Sequence, residues 1–173
     1  MHRPATRPRA PAVPNSSFAV KIPISVLVVV HCPTLEVLLL ERADRPGYWQ
    51  SVTGSKDEVN EDLASTARRE LREETGIVAG SDAVARTALV DWEQRNVYEI
   101  YPAWRHRYAA GVSHNVEHVF GVCVPRDIAV TLAPGEHLRY RWLPWQAAAD
   151  ACFSSTNAQA IRELPLRAGV GPA

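Results

Sequence analysis

The chain has 173 residues, with 19 Lys and Arg against 19 Asp and Glu, and a formal net charge of zero. That length suits one compact domain and is short for two. The balanced charge excludes both the basic footprint of a nucleic-acid binder and an acidic tail. Cys32, Cys123 and Cys152 are scattered, odd in number and form no Cys-x-x-Cys pair. They read as small apolar residues in a reducing compartment, so a cytoplasmic location is expected.

From Met1 to about Ser17 the sequence is Pro, Arg, Ala and Ser with little to bury, so residues 1–17 are expected to form a disordered tail. Residues 18–165 form the expected domain, and residues 166–173 a loose end. The apolar run Ile24–Val30 is far too short to span a bilayer. A Pro-rich lead precedes it instead of a continuous signal-peptide core, so neither membrane insertion nor secretion is expected. Short β-rich runs follow in order: Val26–Val30, Val37–Leu40 after a turn containing Pro33, and Tyr48–Thr53. An acidic helix comes next. Beyond it lie Ala83–Trp92, a pairing segment around Val97–Tyr101, then Trp104–Tyr108, Val116–Val124 and Leu138–Leu143. Pro144 and Trp145 open a helix over Gln146–Cys152, and Ser155, Thr156 or Asn157 caps a last helix to about Leu164. The pattern predicts an α/β fold, a mixed sheet with helices on its faces, and not a regular βαβ array.

The acidic helix is the most informative element. Asn60 is a suitable N-cap, with Glu61 and Asp62 complementing the positive end of the helix dipole. Leu63, Ala67 and Leu71 make a narrow apolar stripe, and Gly76 provides a left-handed C-cap. Glu70, Glu73 and Glu74 fall three and four residues apart and so converge on one turn. Like charges at that spacing cost a few tenths of a kcal/mol per pair, and the C-terminal end of the dipole disfavours them further. Such a cluster calls for a cation, and carboxylate oxygens select a hard one, Mg²⁺ or Mn²⁺. Arg69 lies about two turns from Glu61, within reach of the same acidic face.

This stretch resembles the Nudix box, Gly-x5-Glu-x7-Arg-Glu-U-x-Glu-Glu-x-Gly-U, where U is a bulky aliphatic residue. Every fixed position from Glu61 through Arg69-Glu70-Leu71, Glu73-Glu74, Gly76 and Ile77 is present. The front departs: six residues, not five, separate Gly54 from Glu61, and Val59-Asn60 stands where a glycine often precedes the first glutamate. The resemblance implies a Nudix α/β/α sandwich that hydrolyses a phosphoanhydride with Mg²⁺, Mn²⁺ being able to substitute. It implies Glu70 and Glu74 as metal ligands, the Gly54 carbonyl as a further one, and Glu73 as a ligand or as the group that orients or deprotonates water. Glu117 alternates onto one strand face with Val119, Gly121 and Cys123. A carboxylate there is costly unless paired or metal-bound, and the resemblance implies that it completes the metal site or acts as the base. Glu93, Glu99 and Glu136 lie in less constrained sequence.

Two further blocks, Tyr48-Trp-Gln-Ser-Val-Thr-Gly-Ser55 and Arg105-His-Arg-Tyr-Ala-Ala-Gly-Val112 with Asn115 and Glu117, are similar to the bacterial branch of the family that removes pyrophosphate from dihydroneopterin triphosphate in folate biosynthesis. Lys21-Ile-Pro-Ile-Ser25 and Asn157-Ala-Gln-Ala-Ile161 extend that similarity. The substrate is then a small-molecule triphosphate, with no nucleic acid or membrane as partner, and the oligomeric state stays open. Lys21, Arg42, Arg105 and Arg107 are candidates for the phosphates, arginine offering bidentate contacts. Arg105 and Arg107 are expected on one face of a strand. Thr53, Ser155 and Asn157 are candidates for hydrogen bonds to the ligand, and Trp49 and Trp92 for an aromatic wall, although most tryptophans in such a domain are core. Two competing readings are a pyrophosphatase for oxidised or non-standard nucleoside triphosphates and a non-catalytic binding module. The intact acid cluster argues against the second.

Overall fold

Among the described residues, seven strands lie between one long helix on one side and a group of short helices on the other. The computed structural model describes residues 20–169; the expected N-terminal tail and residues 170–173 lie outside them. Strands β1 (Ile24–His31), β2 (Glu36–Arg42), β3 (Trp49–Gln50) and β4 (Val52–Ser55) precede α1 (Leu63–Thr75). Strands β5 (Leu89–Glu99), β6 (His114–Cys123) and β7 (His137–Pro144) follow, then α2 (Trp145–Ala151), α3 (Ser155–Arg162) and α4 (Leu164–Arg167). β1 runs parallel to β6 from Ile24↔Val116 to His31↔Cys123. Its other edge pairs antiparallel with β4 and meets β2 only at His31↔Val37. β2 carries β3 and β7, and β5 closes the far side against β6.

The alternation of β1 accounts for the layers. Val26, Val28 and Val30 point to one face and pack with Ala67 and Leu71 of α1, Leu38, Phe120 and Val122. Leu27 and Val29 point to the other and pack with Ala148, Ala149, Ala160, Ile161 and Leu164. Each fully buried Val or Leu contributes about 1.5–3 kcal/mol, so a strand buried on both faces reads as the continuous apolar run seen in the sequence. The result is the expected α/β/α sandwich around a mixed sheet. Among the described residues no helix is long and apolar enough to cross a membrane.

Several elements differ from expectation. Asp62, not Asn60, caps α1, its carboxylate accepting from the Ser65 N–H at 2.9 Å. Gly76 ends the helix as predicted, with φ of 73° and its N–H on the Arg72 carbonyl. The single strand expected over Tyr48–Thr53 is broken at Ser51, whose N–H leaves the ladder and donates to Asn157 Oδ1 at 2.8 Å. Ala83–Ala88 is not strand. β5 begins at Leu89 and absorbs the Val97 segment across an irregularity at Trp92–Glu93, where Glu93 has φ of 56°. The expected strand Trp104–Tyr108 is instead a 3-10 helix over Pro102–Arg107; proline suits that first position because it has no N–H to leave unpaired. The chain, expected to be loose from Leu166, stays helical to Arg167, which donates to the Trp92 carbonyl at 2.9 Å.

Candidate active site

A cleft of about 630 Å³ opens where β1, β4 and β6 meet the loop before β7 and the start of α3. Gly54 lines one wall, and Glu70 lies directly against its backbone, outside the lining residues. A Cβ built on Gly54 would lie 1.8 Å from the Glu70 carboxyl carbon, so only glycine lets that carboxylate rest on the β4 backbone. Arg69 holds the acids around it. Its guanidinium reaches Glu61 at 3.1 Å, Glu70 at 2.7 Å, Glu73 at 3.2 Å, Asp57 at 3.2 Å and the Ser55 carbonyl at 2.9 Å. The extra residue ahead of Glu61 is absorbed in this loop, where the Asp57 N–H donates to the Glu61 carboxylate at 2.9 Å.

The three clustered glutamates are not equivalent. Glu73 is about half exposed and bound to Arg69, outside the residues that line the cleft. Glu70 is largely buried; burial pushes its carboxyl up to about 7 against the opposing pull of Arg69. Glu74 is 4% exposed and lines the cleft. Burial also pushes its carboxyl upward, opposed by neighbouring His137. Glu117 reaches the same cleft from β6 at 5% exposure, its Oε1 accepting from Asn96 and Thr156, each at 3.2 Å. Burial raises its carboxyl too, and those two hydrogen bonds only partly offset the shift. Buried carboxylates without a matching base are strained toward the neutral form. Among the described residues Glu74 Oε2 has no hydrogen-bond partner. A divalent cation at Glu74 would restore the charged carboxylates. Among the described residues Glu70 and Glu117 do not form with Glu74 a group whose ligand atoms all lie within 4.8 Å of one another, so their share in holding it would need water or phosphate oxygens between.

The basic residues lie on another side. Lys21, Arg42 and Arg107 line the cleft. Lys21 is largely buried and its ammonium is depressed, first by burial and then by Arg107. Arg42 forms a two-point pair with Asp44, at 2.8 and 2.7 Å, and stacks 5.2 Å from the Trp104 ring. Arg105 does not join them: it turns back to the Ile100 carbonyl and to Glu99. The 3-10 helix removes the strand alternation that was to put it beside Arg107.

Thr53, Ser155 and Asn157 all border the cleft. Thr53 Oγ1 accepts from Gln50. Asn157 is 2% exposed and committed to Ser51, accepting its N–H and donating to its hydroxyl at 2.9 Å. Trp49 is core, with Arg141 4.4 Å over its ring. Trp92 is core as well, lying where a Cβ on Gly121 would meet the ring at 2.5 Å. The aromatic rings that do line the cleft are Tyr98, Tyr101, Trp104, Tyr108 and Phe153.

Tyr98 and His137 were not singled out in the sequence, Asn115 entered only as part of the resemblance, and Glu136 was set aside as less constrained. Asn115 is buried beside Glu117 and donates to Ser25 at 2.7 Å and Tyr98 at 3.1 Å. Its signal was available, since it alternates onto the face of Glu117. Glu136 and His137 carried none, because only the turn into β7 brings them to Glu74.

This geometry belongs to a recognisable class. The NUDIX domain family matches residues 21–164, and the chain belongs to that family. Dihydroneopterin triphosphate diphosphatase of Escherichia coli K12 is 41% identical over 150 residues, covering 86% of this chain and 95% of the relative. The enzyme of that name from Haemophilus influenzae is 38% identical over 140 residues, with coverage of 80% and 85%. The structure of the E. coli dihydroneopterin triphosphate pyrophosphohydrolase superposes with a TM-score of 0.74 at 40% identity, covering 86% of this chain and 98% of that one.

Proposed function

We propose that the protein hydrolyses dihydroneopterin triphosphate to dihydroneopterin monophosphate and pyrophosphate, with Mg²⁺ as cofactor, as a cytoplasmic step of folate biosynthesis. The observation that carries this reading is the 41% identity to the E. coli enzyme across nearly the whole of both chains. It is supported by a cleft in which buried carboxylates face cationic side chains. Glu70, Glu74, Glu117 and the Gly54 carbonyl would hold the cation, and Glu73 acts at one remove through Arg69. A bound Mg²⁺ supplies neutralisation and polarisation of the phosphates. Lys21, Arg42 and Arg107 bind the triphosphate oxygens, and Trp104 and the cleft tyrosines flank the ring.

The test is pyrophosphate release measured against a panel of pterin and nucleoside triphosphates, with and without chelator. Dihydroneopterin triphosphate should give the highest kcat/KM, and chelator should abolish turnover. A site that hydrogen-bonds a polar ring edge rejects analogues that leave its groups unpaired. Equal or better turnover of an oxidised guanine nucleotide would replace the folate reading with nucleotide cleansing, and turnover in chelator would remove the acid cluster from the chemistry.

A further inference from the structure

Where the turn into β7 meets the end of α1, three ligand-type side chains converge. One oxygen or nitrogen from each of Glu74, Glu136 and His137 lies within 4.8 Å of the others. Acidic neighbours alone would mean little. Here, however, the side chains of His137 and Glu74 are 4% and 5% exposed, and their polar atoms are not satisfied. Among the described residues Glu74 Oε2 and both ring nitrogens of His137 have no hydrogen-bond partner. His137 Nε2 stands 3.1 Å from Glu74 Oε2, yet the two are not aligned as N–H···O. Leaving such groups unpaired in a buried site costs about 1–3 kcal/mol each. Ligand atoms that share one small ion at about 2.0–2.1 Å are themselves roughly 3 Å apart and aim at the ion, not at each other. The His137–Glu74 contact has that form, and exposed Glu136 leaves a route to solvent.

We propose that Glu74, Glu136 and His137 bind a divalent transition-metal ion through two carboxylates and one imidazole. Neither His137 nor Glu136 belongs to the acidic box. A nitrogen donor changes the selectivity of the cleft: imidazole suits Zn²⁺, Fe²⁺ or Ni²⁺, whereas an all-oxygen set suits Mg²⁺ or Mn²⁺, and Mn²⁺ serves as the paramagnetic probe of the site. The site shares Glu74 with the acid cluster and so rests on the reading of that cleft as a metal centre, but not on the choice of substrate.

Pulsed EPR of the full-length protein with one equivalent of Mn²⁺ tests the coordination directly, without turnover. The wild type should show nitrogen modulation from a bound imidazole, His137→Leu should lose it, and Glu136→Gln should bind Mn²⁺ more weakly. His137→Gln keeps a polar donor without an imidazole ligand, and it should also lose the modulation together with Mn²⁺ affinity. Absence of modulation in the wild type, or its persistence in His137→Leu, overturns the proposal. So does wild-type Mn²⁺ affinity in His137→Gln, which would make His137 a hydrogen-bonding support for Glu74 instead of a ligand. A failed pterin assay beside a positive spectrum would reject the substrate and keep the site.

Discussion

Gly54→Ala tests the closest approach in the acid cluster. The added Cβ would lie 1.8, 1.9 and 2.3 Å from the three carboxyl atoms of Glu70. Reaching an ordinary contact of 3.4 Å requires a relative movement of about 1.6 Å. The backbone of Gly54 is held in the β1–β4 ladder at Val26↔Gly54, and Glu70 is tied to Arg69 at 2.7 Å. Glu70 must therefore swing away and strain that pair, or β4 must lift from β1. Overpacking of this kind costs about 1–3 kcal/mol of stability, and misplacing a reacting group by about 1 Å can cost roughly a hundredfold in rate. A hundredfold is about 2.7 kcal/mol of barrier. Pyrophosphate release and thermal unfolding, measured on the same preparation, separate the two effects. We expect kcat to fall by about a hundredfold or more, with a folded protein whose midpoint drops by several degrees. Wild-type kcat in a stably folded Gly54→Ala would refute the claim that the position of Glu70 against β4 matters to the reaction.

Glu70 also gives a pH signature. Its folded carboxyl lies above the ordinary value, at about 7, so its stabilising contribution is full below about pH 4.5 and is lost as pH rises to about 7. In chelator, urea denaturation should show wild type losing stability relative to Glu70→Gln across that window, and a constant difference between the two would contradict the assigned burial. On the role proposed for its carboxylate around the reacting phosphate, Glu117→Gln should lower kcat more than it raises KM; unchanged kcat with a lower Tm would make Glu117 structural. Asn157→Ala should cost about 1–3 kcal/mol by leaving the buried Ser51 N–H unpaired, read by urea denaturation, with the preference for pterin over guanine substrates retained. A narrowed preference at unchanged stability would return Asn157 to the ligand.

The legible parts of the fold were those set by local pattern. The box helix, its glycine cap, the doubly buried β1 and the alternation that places Glu117 follow from spacings of two and four residues. What could not be read depends on contacts between distant segments. The break at Ser51 exists because Asn157, 106 residues away, accepts its N–H. Alternation of Arg105, His106 and Arg107 imitated a strand, while Pro102 and the turn bond from the Trp104 N–H to the Tyr101 carbonyl made a 3-10 helix. The same logic divides the candidate site. Glu70, Glu74 and Gly54 are near in sequence and were paired by motif, whereas His137 meets Glu74 only through tertiary folding.

The distribution of counter-charges explains why four neighbouring acids do not act alike. Arg69 takes Asp57, Glu61, Glu70 and Glu73 into one hub, each within 3.2 Å of its guanidinium. Such a hub stabilises less than its count of pairs suggests, because Asp57 and Glu73 are exposed and screened. Its larger effect is selective. Glu74 and Glu117 are out of its reach, buried, and supported only by neutral hydrogen-bonding groups or by His137. Negative charge not matched by arginine is thereby concentrated on the cleft side of the sheet. The opposing Lys21 and Arg107 are close enough for Arg107 to depress the Lys21 ammonium, so cationic charge there is also incompletely matched. A cation satisfies the first group and a polyphosphate the second. A metal–triphosphate complex satisfies both, because the ion lowers the repulsion between the phosphates and the carboxylates. On this view Arg69 neutralises Asp57, Glu61 and Glu73 and holds Glu70 against β4, leaving the unmatched charge of the cleft poised for the pair and not for either partner alone.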